Sequence, residues 1–291
     1  MTKVLVLGSG GILGTALSRA LPGPSIDEAV LLARDACDVR DAAAFDRALS
    51  QHRPDVVINA AAYTKVDDCE DERELAFLVN GVAPGLLARR CRDAGIVLVH
   101  VSTDFVFDGS SSRPYTEEDP PRPLSVYGAS KLLGEREVER EGGDWICVRT
   151  SWHYGDGGAC FPRTIHQKAL EGAPLRVVSD QRGRPTFSHN LAGAILVLLR
   201  AGARGLFHYA DGGAVTWFEL SQAIVATAGI TPRSLEPIPS SELSRKARRP
   251  AYSVLATDKY ERVTGCHPPP FSTGLATFLA TLSRPAVAAR S

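Results

Sequence analysis

Short runs of consecutive apolar residues alternate with longer stretches of helical spacing through the first half of the chain. Lys3–Leu7 is such a run, and residues 30–33, 55–58, 96–101 and 145–149 repeat it. Each is too short for a helix and lacks the alternation of a strand with one wet face, so each reads as a strand buried on both sides. Between them, a stretch ending near Leu21 and residues 42–49, 72–94 and 126–140 have helical spacing. In the third, Leu75, Val79, Leu86 and Leu87 mark the apolar face, and Pro84 should interrupt it. Strands alternating with helices predict an α/β fold, a doubly wound parallel sheet of Rossmann-like type.

Beyond Arg149 the rhythm loosens and glycine and proline become frequent (Gly155, Gly157, Gly158, Pro162). Leu175–Val178 reads as a sixth strand and residues 205–209 as a seventh. Residues 191–200, 217–229 and Phe271–Leu282 read as helices, 232–249 as a Pro/Ser/Arg-rich connection, and 283–291 as a frayed end. The expected organisation is a dinucleotide-binding domain of residues 1–151 plus about 175–212. Residues 152–174 and 213–291 would supply a smaller substrate lobe, mostly C-terminal.

With 291 residues the chain is long enough for a large core. Its formal net charge of zero argues against nucleic acid as the main partner, because neutralising phosphates needs a basic excess. The six cysteines form no Cys-x-x-Cys pair, which fits a reducing cytoplasm and suggests no zinc site. No apolar run approaches the length of a membrane span. A cytoplasmic protein is expected, with neither membrane nor nucleic-acid partners.

Gly8, Gly11 and Gly14 follow the first strand and open a helix. Lacking side chains, they allow a tight turn and a close approach to a pyrophosphate, whose charge the first helical N–H groups, including those of Ile12 and Leu13, would meet. Arg34 ends the second strand, where a carboxylate would read a ribose diol and an arginine would accept a 2′-phosphate. NADPH is therefore the expected cofactor, with NADH left open because Asp35 follows; Arg34 as an ordinary surface residue stays open too. Asp38, Val39, Ala60, Ala61, Ala62, Tyr63 and Thr64 lie past the ends of strands two and three, where ligands of such sheets bind. Tight loop packing would explain the small residues equally well.

Tyr127 and Lys131 are spaced to share one helix face. A phenol beside an ammonium is a proton donor for a carbonyl oxygen that receives hydride, and the amine can also hold the nicotinamide ribose. Thr103 ends the fourth strand and completes a Thr/Tyr/Lys set, while the following Asp104 is either a substrate ligand or a turn cap.

Taken together, the glycine turn, the stretch from Asn59 to Thr64, Ser102–Gly109, Tyr127-Gly-x-Ser-Lys131, Arg149-Thr-Ser-Trp152, Asp180-Gln181-x-Gly183-x-Pro185-Thr186 and Arg249-Pro250 resemble the extended short-chain dehydrogenase/reductases. More narrowly they resemble the dTDP-4-dehydrorhamnose reductase family. The resemblance implies reduction of the 4-keto group of a dTDP-6-deoxy-4-ketohexose, with hydride to C4 and the proton from Tyr127. It implies that Thr103, Asp104 and Trp152 touch the sugar nucleotide, and that Arg182 and Arg184 could meet its diphosphate. Domain packing for Trp152 and solvated loops for the two arginines are the alternatives. Dehydratases of this scaffold follow the Thr-Asp pair with a glutamate, and here that place is Phe105. An epimerase and a non-catalytic regulatory subunit are further rivals, the latter disfavoured by the intact Thr103, Tyr127 and Lys131. Some relatives dimerise around a metal held by glutamates. Here the aligned positions are Ala16 and His189, so no metal is expected, and the chain should be a monomer or a metal-independent homodimer. His153, after Trp152, also departs from the pattern and reads as a spectator or a modifier of sugar preference.

Overall fold

The computed structural model describes residues 2–282; the frayed end expected at 283–291 lies outside them. The chain begins β1 (Lys3–Leu7), α1 (Ile12–Ala20), β2 (Glu28–Leu32), α2 (Ala42–His52) and β3 (Val56–Asn59). There follow α3 (Asp68–Asp71), α4 (Arg73–Phe77), α5 (Ala83–Asp93), β4 (Val97–Thr103), α6 (Val126–Glu141) and β5 (Trp145–Thr150). The second half holds β6 (His153–Tyr154), α7 (Phe161–Leu170), β7 (Leu175–Val178), β8 (Arg182–Gly183), β9 (Thr186–Phe187), α8 (Ser188–Arg200) and β10 (Gly205–His208). It closes with β11 (Val215–Thr216), α9 (Trp217–Ala228), β12 (Leu235–Ile238), α10 (Asp258–Thr264) and α11 (Phe271–Leu282).

Six strands form one parallel sheet in the order β2-β1-β3-β4-β5-β10. The uniformly apolar strand sequences follow from this placement. In β1, Val4 and Val6 face α1 and α8 with Leu13, Leu17, Leu191 and Ile195. Leu5 and Leu7 face α2, α5 and α6 with Phe45, Leu87 and Val138. Successive side chains point to opposite faces, so a strand covered on both sides must be apolar throughout. Strand order reverses between β1 and β3, and the carboxyl ends of those strands bound the crevice where such sheets take their ligands.

Leu175–Val178 is a strand, but it pairs in parallel with β12 and not with the central sheet. Periodicity identifies a buried strand without identifying its neighbour. The β7–β12 pair packs with α7, α9 and α11 around Leu175, Val177, Leu220, Ile224 and Leu275, a core separate from those of the sheet. Helix α7, in the Gly/Pro-rich stretch, has Pro162 in its first turn, where the missing N–H costs nothing. Among the described residues no helix is long and apolar enough to cross a membrane.

Pro84 does not break its helix. A π-helical turn over Leu78–Val82 joins α4 to α5 immediately before it. An α-helix would ask residue 84 to donate to the Asn80 carbonyl, and proline has no N–H to give. The widened turn aims that carbonyl at α6, where a Cβ on Gly134 would come within 2.2 Å of it. The Asn80 side chain, also buried, accepts from Tyr63 N at 2.8 Å and donates to Tyr63 O at 2.9 Å and to Ser130 Oγ at 3.1 Å. The distortion thus ties the loop after β3 to the helix that carries Tyr127.

Candidate active site

The turn after β1 is built without side chains because there is no room for them. Gly8 has φ +80°, and a Cβ there would lie 2.7 Å from Ala61 N in the loop after β3. The N–H groups of Gly8 and Ser9 both donate to Leu32 O at the end of β2, at 3.0 and 3.1 Å. Helix α1 starts at Gly11 with no side-chain cap, whereas Asp41, Ser125 and Thr216 cap α2, α6 and α9. Its first N–H groups are left for an external acceptor, the arrangement an anion requires. Leu13 and Ile12 pack into apolar clusters, so their backbone N–H groups are what they can offer.

At the end of β2 the Arg34 side chain is exposed and lies 3.5 Å from Asp38. Asp38 belongs mainly to Arg40, which binds it through Nε at 2.9 Å and Nη2 at 2.6 Å and holds its carboxyl well below the usual range. Arg40 was not picked out from the sequence. Val39 is buried beside Leu5 and Leu7, so only its backbone is available to a ligand. In the loop after β3, Asn59 Oδ1 accepts from Ala61 N at 3.1 Å. Ala60 and Ala61 are half-buried there, and Ala62 and Thr64 are exposed. Closely packed glycines, an uncapped helix start and an exposed arginine fit a dinucleotide carrying a pyrophosphate and an extra phosphate.

Thr103, Asp104 and Tyr127 meet beside this crevice. Thr103 donates to Asp104 Oδ1 at 3.1 Å and lies against the Tyr127 phenol. Burial pushes the phenol well above its ordinary pKa, and Thr103 acts the other way. Asp104 is raised to about 7 by burial, with Ser253 and Thr103 acting the other way, and its Oδ2 is buried without a partner. Lys131, one helical turn from Tyr127, turns its ammonium beneath the sheet edge. There it donates to Val101 O at 2.6 Å and lies 3.4 Å from His100 Nε2. Burial lowers it to about 8. Asn80, His100 and Arg40 are the positioning residues that sequence reasoning did not single out; Asn80, four residues before Pro84, was the one with a local signal.

A cavity of about 610 Å³ opens next to this group, lined largely by α7, β7 and residues 240–253. Phe105 belongs to its wall and meets Tyr127 edge-on, centroids 5.6 Å apart, which connects cavity and phenol. Trp152 and Trp217 form a stacked aromatic wall, and Lys168, Arg176, Arg248 and Arg249 also line the cavity, Arg176 paired with Glu242 and Arg249 with Asp67 at 2.8 Å. Stacked rings and basic side chains suit a flat ring joined to phosphates.

A family model described as the RmlD substrate binding domain matches residues 1–284. The chain belongs to that family. A dTDP-4-dehydrorhamnose reductase of Burkholderia thailandensis is 40% identical, over 92% of this chain and 94% of its own length. A dTDP-4-keto-6-deoxy-D-glucose reductase of Streptomyces niveus is 37% identical, over 88% of this chain and 89% of its own. The crystal structure of Bacillus anthracis dTDP-4-dehydrorhamnose reductase in complex with NADP superposes with a TM-score of 0.92 at 32% identity, covering 97% of this chain and 100% of that one.

Two arginines expected at the diphosphate are held by other partners. Arg182 is committed away from the cavity, donating to Ala214 O at 2.9 Å and pairing with Glu219 at 3.3 Å; its neighbour Gln181 lines the wall. Arg184 is likewise tied to backbone, bonding Asp211 O at 2.7 Å and Leu255 O at 2.9 Å. Trp152, with φ +46°, packs on Gly183 and lines the cavity. Ala16 lies in the core, and His189 Nε2 sits 3.3 Å from Arg19 Nη1. Burial lowers His153 to about 4, and its Nε2 is buried without a partner.

Proposed function

We infer that this chain is an NADPH-dependent reductase of the 4-keto group of a dTDP-4-dehydro-6-deoxyhexose. The observation that carries the reading is the Thr103–Tyr127 contact at the junction of an open, side-chain-free turn and a cavity lined by stacked indoles and basic side chains. Gly8, Gly11, Gly14 and the first N–H groups of α1 would hold the pyrophosphate of the coenzyme, with Arg34 and Arg40 near its 2′-phosphate. When bound, NADPH supplies the hydride for sugar C4.

The chain's own groups supply the rest. Burial keeps Tyr127 protonated across the neutral range, so the acid is in its donating form before reaction. As C4 is reduced, its oxygen becomes alkoxide-like and more basic than a phenolate, and the Tyr127 proton moves to O4. Thr103 orients the phenol and can bond the same oxygen. Asp104 offers its free Oδ2 to a sugar hydroxyl, and Trp152, Trp217 and the basic side chains of the cavity take the dTDP portion. Phe105 gives no carboxylate for an elimination. A cytoplasmic location and a monomer or metal-independent homodimer complete the proposal, since Ala16 and His189 provide no pair of carboxylates for a bridging cation.

The test is oxidation of NADPH and of NADH against a panel of dTDP-4-keto-6-deoxyhexoses, with the C4 configuration of the product read by NMR. Turnover of at least one, faster with NADPH, is expected. No oxidation with any of them would overturn the reading.

A further inference from the structure

A buried line of polar groups runs beneath Tyr127 from β3 through β4 to α6. Asn59 is 1% exposed, His100 0% and Lys131 2%. Asn59 Nδ2 lies 3.2 Å from His100 Nδ1, and His100 Nε2 lies 3.4 Å from Lys131 Nζ. The proton positions follow from one fixed point. Ala61 N, 3.1 Å from the Asn59 amide, can only donate, so the atom it faces is the oxygen. The other amide atom is then the NH2 group, and His100 Nδ1 must accept from it. A neutral imidazole with an accepting Nδ1 carries its proton on Nε2, facing Lys131. Opposite an ammonium, that N–H sets two donors face to face; opposite a neutral amine, it meets a lone pair. The Val101 carbonyl at 2.6 Å takes one amine N–H in either state.

We propose that Asn59, through the tautomer it imposes on His100, disfavours the charged form of Lys131. The two residues then set the pH below which Lys131 becomes the cation that assists Tyr127. They are positioning residues, acting through Lys131 and touching neither substrate nor coenzyme. Burial works in the same direction on both, lowering Lys131 to about 8 and keeping His100 uncharged. The other groups facing Lys131 are Cys147 on β5 and Glu135 on its own helix. Burial pushes Cys147 up, so it remains a thiol. Glu135 is taken by Arg149, at 2.6 and 2.9 Å, and by Ser102. Tyr127, one turn earlier, is a neutral phenol.

Two measurements on the full-length protein test this. A long-range 1H–15N spectrum reads the His100 tautomer with no substrate present. A single proton on Nε2 is expected, and a proton on Nδ1, or on both nitrogens, overturns the proposal. The second measurement rests on the reductase reading: kcat/KM should fall as pH rises through about 8, where Lys131 loses its proton. His100→Gln can turn an amide oxygen toward Lys131 without adding charge. Asn59→Asp leaves Nδ1 facing an oxygen and so moves the imidazole proton there. Each should raise the midpoint of that fall by about one pH unit. Unchanged midpoints in both variants overturn the proposal. A wild-type protein that reduces no 4-ketohexose fails the reductase reading, and the tautomer measurement still decides this one.

Discussion

The indole rings of Trp152 and Trp217 lie stacked with centroids 3.5 Å apart and planes 5° from parallel. One comes from the turn after β5 and the other from the first residue of α9, so the contact joins the central sheet to the cluster of α7, α9 and α11 at the cavity wall. If this wall takes the nucleotide, its loss weakens ground state and transition state alike. Trp217→Ala should raise KM for the sugar nucleotide at least ~10-fold with little change in kcat. Steady-state kinetics with saturating NADPH separate the two constants, and a selective drop in kcat would move Trp217 out of the binding wall.

Tyr127→Phe removes the proposed acid while keeping the ring against Phe105. Turnover should drop by roughly 10²–10⁴-fold with NADPH affinity retained. Wild-type turnover in this variant would eliminate Tyr127 as the donor.

Asp104 gives a pH-dependent stability. The folded protein keeps its proton up to about pH 7, whereas the unfolded chain releases it near the ordinary carboxylate value of 3.8. Between these values the folded state binds more protons, so this group's contribution to stability falls as pH rises and is most unfavourable above pH 7. Asp104→Asn removes the cost of a buried charge. Its Tm should exceed that of the wild type at pH 8, and the gain should vanish by about pH 4. A gain independent of pH would place the effect elsewhere.

Arg34→Ala should weaken NADPH binding by more than it weakens NADH binding, because a 2′-phosphate is the group that guanidinium can read. Isothermal titration with both coenzymes decides it. Equal losses would remove Arg34 as the phosphate reader and leave Arg40 as the candidate.

Gly134→Ala tests the packing behind the site. The added methyl would meet the Asn80 carbonyl at 2.2 Å, a backbone atom held by the turn before Pro84. A loss of about 1–3 kcal/mol is expected in denaturant unfolding, despite the better helix propensity of alanine. Unchanged stability would mean that the π-helical turn can relax away from α6.

Much of the molecule was legible in residue order because its causes are local. The apolar runs could only be strands covered on both faces, and the glycines after β1 could only be a turn with no room for side chains. Tyr127 and Lys131 were linked by helical spacing alone. What stayed hidden depended on neighbours remote in sequence. Leu175–Val178 was read as a strand of the dinucleotide-binding domain, whereas it pairs with β12 in a separate core. Arg182, promising as a free cation, was claimed by Ala214 and Glu219. Lys131 had a visible position but no visible environment, and its amine faces Val101 and His100, neither of which spacing could indicate. Spacing along the chain fixes which side of an element a residue occupies. Burial and hydrogen-bond partners, which govern where protons rest, arise only when distant segments are packed together.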